Sequence, residues 1–212
     1  MNIYMIRHGR QRSALCNVNI ELSEEGHRQA QLVGERLKSY GIDGLYASHL
    51  IRAVQTAGHI SECLNLPVTE MDYIHEIDYG EWEGKSNAQL DEEYAAQRKA
   101  HADGIEDICY PGGESGATCY QRFAKGMQAI VEHAKAQGHK NIAIVTHGGA
   151  MRAFLCGEFG IPFAKRGILS HSLENGSITH LTYQPDKGYT LERFNDYAHL
   201  ELYDELLRKH FG

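Results

Sequence analysis

Apolar and polar positions follow two rhythms along this chain. Unbroken apolar runs, Ile3-Tyr4-Met5-Ile6 and Ile142-Ala143-Ile144-Val145, suit strands covered on both faces, as in parallel α/β sheets. Between them apolar residues recur at helical spacing. Ala30, Val33 and Leu37 follow Ser23 and two acids and precede Gly41, a capped start and a glycine stop. Ala53, Ala57, Ile60 and Leu64 follow Ser48, which predicts a second helix with Ser48 as its cap. Phe123, Met127, Ile130, Val131 and Ala134 form the apolar face of a long helix that stops at Gly138. Leu45-Tyr46-Ala47 reads as another strand, Pro67-Val68-Thr69 as a short edge strand, and residues 150–159 as a helix. Residues 177–183 and 189–194 alternate as strands around the turn-rich Pro185-Asp186-Lys187-Gly188, which predicts a hairpin, and a helix is expected over 200–207.

Two stretches depart from these rhythms. Residues 73–84 are rich in acids and aromatics without periodicity and read as a loop. Ser86 and Gln89 have capping-box spacing, and the helix they open, to about residue 102, carries few apolar residues. That predicts an insertion at about 85–115 lying over a site, within a single domain spanning 1–212. Trp82 is expected to be a packing anchor.

Composition narrows the function. The chain has 212 residues, 42% of them apolar and 23% charged, as in an ordinary globular protein. A formal charge of -7 argues against nucleic acid or an anionic membrane as general partners, since both need broad positive fields. With no run of eighteen apolar residues and no basic, apolar leader, a cytoplasmic location is expected. The cysteines, Cys16, Cys63, Cys109, Cys119 and Cys156, are odd in number and lack C-x-x-C spacing, so reduced and mostly buried thiols are expected. Cys16 is the exception to watch, beside the proposed site. The remaining histidines show no ligand spacing, so no metal is expected, and no cofactor.

The candidate chemistry lies where the apolar runs end. One runs into Arg7-His8-Gly9, the other into Thr146-His147-Gly148-Gly149. The carboxyl ends of parallel strands are where open α/β sheets hold ligands. Arg7 is a permanent cation suited to bidentate phosphate binding, and Gly9 offers a turn that would wrap an anion. Arg52 falls in the first turn of its helix, where it would deepen a site that already favours anions. Arg7, His8, Arg52 and His147 together predict an anion pocket with a nucleophile inside it, and the acids of 73–84 lie close by.

Further motifs carry a resemblance. Leu22-Ser23 with Gly26, Gln29 and Ala30, then Ser48, Leu50, Arg52, Ala53, Gln55, Thr56 and Ala57, occur in the order seen in the histidine phosphatase superfamily. Glu76 with Gly80-Glu81-Trp82-Glu83-Gly84, Gly113-Glu114-Ser115 and Thr146-His147-Gly148-Gly149 complete the pattern. The chain resembles that family, phosphoglycerate mutase-like, from residue 3 to about 183. The resemblance implies a three-layer α/β/α sandwich with a mostly parallel central sheet. It implies that His8 attacks phosphorus and becomes phosphorylated, that Arg7, Arg52 and His147 hold the phosphoryl oxygens, and that Glu76 protonates the leaving group. A raised Glu76 pKa, from burial and neighbouring acids, is expected; Asp78, Glu81 and Glu83 remain rivals for the role. Asn17 sits where many relatives place a phosphate-contacting asparagine, and Gly9, Gln11 and Gly148 are expected on the phosphate side too.

The form of the 76–84 segment looks more like broad-specificity phosphatases, α-ribazole phosphatases and fructose bisphosphatases than like the mutases. The loop at 17–22 is shorter than in phosphoglycerate mutases, and Arg98-Lys99 is the nearest approach to the paired arginines those enzymes use. The expected function is therefore a metal-independent phosphatase acting on a small phosphorylated metabolite through a phosphohistidine on His8, with inorganic phosphate as product. A mutase and a non-catalytic phospho-ligand-binding protein are the alternatives. Specificity is expected in loops 10–20 and 85–115, where Arg12, Arg98, Lys99 and Tyr110 are candidates. Substrate and oligomeric state are not legible.

Overall fold

In chain order the elements are β1 (Asn2–Arg7), α1 (Glu24–Leu37), β2 (Gly44–Ser48), α2 (Ile51–Leu64), β3 (Val68–Met71), α3 (Asn87–Glu93), α4 (Ala95–Asp103), α5 (Gly116–Gln137), β4 (Asn141–Thr146), α6 (Gly148–Phe159), β5 (Ile178–Gln184) and β6 (Gly188–Asp196). They come from a computed structural model that describes residues 1–170 and 173–208. The strands form one sheet in the order β3-β2-β4-β1-β5-β6. The pairings β1 with β4, β2 with β4 and β2 with β3 are parallel, and the β5–β6 hairpin joins antiparallel at β1.

The unbroken apolar runs fill both faces of this sheet because successive side chains point to opposite sides. Ile3, Met5, Ile142 and Ile144 pack with Phe123, Met127, Ile130 and Phe154 of α5 and α6. Tyr4, Ile6, Ala143 and Val145 pack with Val33, Leu37, Ala53 and Ile60 of α1 and α2. The result is three layers, α/β/α. The chain leaves β1 for α1 on one face and leaves neighbouring β4 for α6 on the other. A crevice therefore opens at the carboxyl ends of these two strands, the usual ligand position in such sheets. Their register pairs Arg7 with Thr146, which sets His8 beside His147.

Some expectations need correction. The N-cap of α2 is Leu50, without a side-chain bond, because Ser48 is turned into the core toward His147. The helix expected over 86–102 keeps its capping box but breaks at Tyr94, whose φ of -130° lies outside the helical range as its ring packs on Trp82 and its hydroxyl donates to Glu81. Residues 200–207 form only a short 3-10 turn at Asp204–Leu206, since the Leu206 carbonyl is used by the side chains of Arg10 and Gln29. Of the free cysteines only Cys119 and Cys156 are buried, and Cys109 is exposed. Among the described residues no helix is long and apolar enough to cross a membrane.

Candidate active site

His8 follows the last residue of β1 and is 4% exposed. Its Nδ1–H donates to the carbonyl of Gly9 at 2.7 Å, which leaves the lone pair on Nε2. Arg52 Nε donates to that nitrogen at 3.1 Å, and the guanidinium continues to the Val18 carbonyl and Asn17 Oδ1. Burial, then the charges of Arg52 and Arg7, hold the His8 pKa well below its ordinary range. A buried ring between two guanidiniums stays neutral, as a nucleophile must. The His8 backbone is fixed by its own N–H to the Thr146 carbonyl and by Asn175 Nδ2, which donates to the His8 carbonyl at 2.9 Å.

Gly9 does not act through a turn. Its N–H is used by Thr56 Oγ1, and a Cβ at this position would lie 2.4 Å from the carbonyl oxygen of Gly26 in α1. The residue is required by close backbone approach, and its amide is not directed to an anion.

His147 immediately precedes α6, fully buried, its ring centred 5.0 Å from that of His8. Its Nε2 is bonded to Ser48 Oγ at 2.9 Å, and burial followed by the Arg52 charge depresses its pKa as well. Beyond it, the amino end of α6 holds Glu76. Gly149 N–H donates to Oε2, and the N–H groups of Ala150 and Ile77 donate to Oε1 at 2.7 and 2.8 Å. A carboxylate belongs at a helix amino terminus, where N–H groups are unpaired and the dipole favours negative charge. A Cβ on Gly149 would stand 2.6 Å from Glu76 Oε1, so the glycine makes this seat possible. The acids expected to crowd Glu76 turn elsewhere: Glu83 accepts from Asn17 and Tyr79, Asp78 from Gly80, and Glu81 from Tyr94. Helix amides, not neighbouring acids, are the surroundings of Glu76.

A cavity of about 800 Å³ opens over these groups. Arg7, His8, Asn17, Arg52, Glu76 and Gln11 line it, whereas His147 and Gly148 stand behind the lining. Asn17 adopts a left-handed φ of 42° and bridges Arg52 to Glu83, while Gln11 donates to loop carbonyls of Ser13 and Leu15. Arg7 donates to the Leu173 carbonyl, and Gly148 lies against its guanidinium. Burial, then the charges of Arg208 and Arg152, lower the Arg7 pKa, with Glu76 opposing them. Of the specificity candidates, Arg98 and Tyr110 reach the cavity; Arg12 pairs with Glu21 and Lys99 with Asp103 outside it. Cys16 lines the cavity too, its thiol pushed up to about 11 by burial and then by Glu83 and Glu76, which keeps it protonated. Among the described residues, no group of three or more His, Cys, Asp and Glu is placed to hold a metal ion.

This arrangement matches known proteins along nearly its whole length. The family model of the histidine phosphatase superfamily, branch 1, fits residues 3–197. The chain belongs to the histidine phosphatase superfamily. It is an enzyme of the phosphoric monoester hydrolase type. It is 31% identical to phosphoserine phosphatase 1 of Hydrogenobacter thermophilus over 87% of this chain and 85% of that one. It is 32% identical to the "Probable phosphoglycerate mutase GpmB" of Proteus mirabilis, over 94% and 95%. Among solved structures, a mycobacterial glucosyl-3-phosphoglycerate phosphatase in complex with inorganic phosphate superposes with a TM-score of 0.82 at 26% identity, covering 93% of this chain and 98% of that one.

Around the site of this histidine phosphatase stand residues that sequence reasoning passed over. Glu174 and Asn175 are fully buried; Arg208 N–H donates to Glu174 Oε2, and Arg208 Nε to Asn175 Oδ1 at 2.9 Å. The chain's last described residue is thereby linked through Asn175 to the His8 backbone, and Arg208 lines the cavity with Arg10. No periodicity marks such a contact. Ser48 was visible as a helix cap and as a position of the family pattern, but not as the partner of His147.

Proposed function

We propose that this histidine phosphatase hydrolyses a small phosphomonoester through a phosphohistidine on His8, without a metal or cofactor. The observation that carries the reading is the pair of His8 hydrogen bonds: Nδ1 faces the Gly9 carbonyl, which fixes its proton there, and the Nε2 lone pair accepts from Arg52, a bond the guanidinium gives up to the phosphoryl oxygens when substrate enters. In the first step Nε2 bonds to phosphorus while the bond to the leaving oxygen breaks. The departing electron pair takes a proton from the Glu76 carboxyl, and the free alcohol leaves. In the second step water bonds to phosphorus, gives a proton to the Glu76 carboxylate and releases His8 and inorganic phosphate. Arg7 and Arg52 from the lining stabilise the equatorial oxygens, and His147, behind the lining with its ring 5.0 Å from that of His8, meets them only once the phosphoryl group seats on His8; this is the electrostatic share of phosphoryl transfer, with Asn17 holding Arg52 in place. The segment at 85–115 serves as a cap, and Asn87, Leu90 and His101 from it line the cavity.

The charge balance supports a substrate with a second anionic group. Five arginines and one acid, Glu76, line the cavity; Arg98 is paired with Asp91 at 3.1 Å and Arg208 faces the buried Glu174, so the positive excess falls to Arg7, Arg10 and Arg52, in a chain of net charge -7. Phosphoserine and glucosyl-3-phosphoglycerate, named for two of the relatives, both carry a carboxylate beside the phosphate.

The test is phosphate release from a panel of phosphomonoesters with chelator present, comparing the parent with His8→Ala. Activity that survives chelator, favours substrates with a second anionic group such as a carboxylate and falls at least about 10³-fold in the variant is expected. Phosphoryl exchange with an added acceptor and no phosphate release would make the enzyme a mutase. Binding without either reaction would make it a phospho-ligand-binding protein.

A further inference from the structure

The segment that carries Glu76 has no regular structure of its own. It runs from the end of β3 to Gly80 with Tyr73 in a left-handed conformation, φ 70°, which a residue with a bulky side chain rarely adopts. Ile74 and Ile77 anchor it in the core, Thr146 Oγ1 donates to the Ile74 carbonyl at 2.6 Å, and most of its remaining carbonyls around Glu76 are taken by one side chain of α5. Arg122 Nη1 donates to the carbonyls of Tyr73 and His75 at 2.7 and 3.1 Å, and Nη2 donates to the carbonyl of Glu76 at 3.1 Å. The same guanidinium forms a bidentate pair with Glu114, both contacts at 2.7 Å. Glu114 then takes the next amide in the segment, accepting from Asp78 N–H at 3.0 Å, while its own N–H donates to the Asp78 carbonyl. The backbone is pinned on both sides of Glu76, at residues 73, 75, 76 and 78.

The pair is well sheltered, its side chains 14% and 18% exposed, so its hydrogen bonds are made where water competes poorly. Arg122 does not line the cavity and cannot touch a substrate. Its fork is the one side-chain geometry that meets a carboxylate and several carbonyls at once; a lysine offers a single point charge. The seat of Glu76 on α6 fixes the carboxylate from one side, and this clamp fixes the main chain from the other. Proton transfer to a leaving oxygen depends on placement to within a fraction of an ångström, which a loop held at only one end does not supply.

We infer that Arg122, locked by Glu114, is a positioning residue for the proton donor of the reaction. The inference rests on the reading of Glu76 as that donor, and the test separates the two. It compares kcat/KM, which covers steps up to release of the alcohol, for an alkyl phosphomonoester and for p-nitrophenyl phosphate, whose leaving group departs without a proton. Glu76→Gln is expected to lose about 10²- to 10³-fold on the alkyl ester and less than about fivefold on the aryl ester. Arg122→Lys is expected to follow the same pattern, losing about tenfold or more on the alkyl ester and less than about threefold on the aryl ester. The ratio of the two substrates is read from one sample, so a smaller folded fraction does not move it. Should Arg122→Lys fold too poorly to assay, Glu114→Gln carries the same ratio test. An unchanged ratio in the clamp variants, with Glu76→Gln discriminating, overturns the positioning role and leaves the donor intact. Equal loss on both esters in Glu76→Gln overturns the donor reading and the inference with it.

Discussion

His8 and His147 sit side by side because their strands are neighbours in register, yet their hydrogen bonds differ. His8 spends Nδ1 on a backbone carbonyl, whereas His147 is held at Nε2 by the Ser48 hydroxyl and has no partner at Nδ1 among the described residues. Ser48 therefore decides how the His147 ring is turned, and it does so from inside the core, at 0% exposure. Removing the hydroxyl leaves a buried imidazole nitrogen unpaired, at a cost of about 1–3 kcal/mol. We expect Ser48→Ala to lower kcat about tenfold with KM within about threefold of the parent, measured by steady-state phosphate release; an unchanged kcat would mean that Ser48 only fills space. That Arg7, His8, Arg52 and His147 come together was legible because the strand-end motifs and the first-turn place of Arg52 are short patterns with a chemical reason. The part played by Ser48 was not, since a serine before a helix reads first as a cap, and only the register of β2 beside β4 turns it inward.

The elements themselves were legible where a period runs long enough, as in α1 and α5, and lost where tertiary contacts overrule propensity. The break at Tyr94 and the non-helical tail are of this second kind: Tyr94 has aromatic partners to reach, and the tail carbonyls are claimed by Arg10 and Gln29. The start of α5 shows how such contacts also build. Ser115 caps the helix with a reciprocal Thr118 bond, and Asp107, from the end of the inserted segment, adds both carboxylate oxygens to the N–H groups of Gly116 and Ala117 at 2.9 and 2.8 Å. Asp107 is also paired with Arg166 at 3.2 Å. The carboxylate thus ties the insertion to the amino end of the longest helix and to the segment after α6. Its loss should cost about 2 kcal/mol, the sum expected for a charged cap with a sheltered partner. For a chain of this size that corresponds to a melting temperature lower by roughly 4–8 °C in Asp107→Ala, and a shift under about 1 °C would show that the insertion is held by other contacts. The sequence offers no cap spacing here, because Asp107 reaches α5 from nine residues upstream.

Over the whole molecule, burial lowers the pKa of many imidazoles. His8 and His147 lie well below the ordinary value, His75 and His199 are pushed down to about 4, and His59, His101 and His180 are lowered too, burial being the first cause for each. At pH 7 the most strongly depressed rings are neutral in the folded chain and only about one-quarter protonated in the unfolded one, so the slope there is shallow and steepens below. As pH falls through about 6.5, the unfolded chain takes up protons that the folded one refuses. Stability must then fall with pH, by up to about 1.4 kcal/mol per pH unit for each refusing ring. The loss begins above the range in which carboxylates titrate, so it is separable from ordinary acid denaturation. Glu114, whose pKa is lowered through its bond to Arg122 against the opposing effect of burial, adds to the loss only further down. Glu158, raised by burial, works weakly the other way there. We therefore expect the melting temperature to drop steadily from pH 7 to pH 5; over the upper half of that interval the net charge of -7 moves toward zero at the pI of about 6.0, so the repulsion that would otherwise account for a loss is relieved there. A scanning calorimetry series over that interval checks this. A flat profile would mean that the folded chain accepts these protons. Inorganic phosphate in the same series gives the complementary reading. An anion that binds only the folded site raises the melting temperature by mass action, and the increment should vanish in Arg52→Ala if Arg7, Arg52 and the buried histidines form the phosphate site.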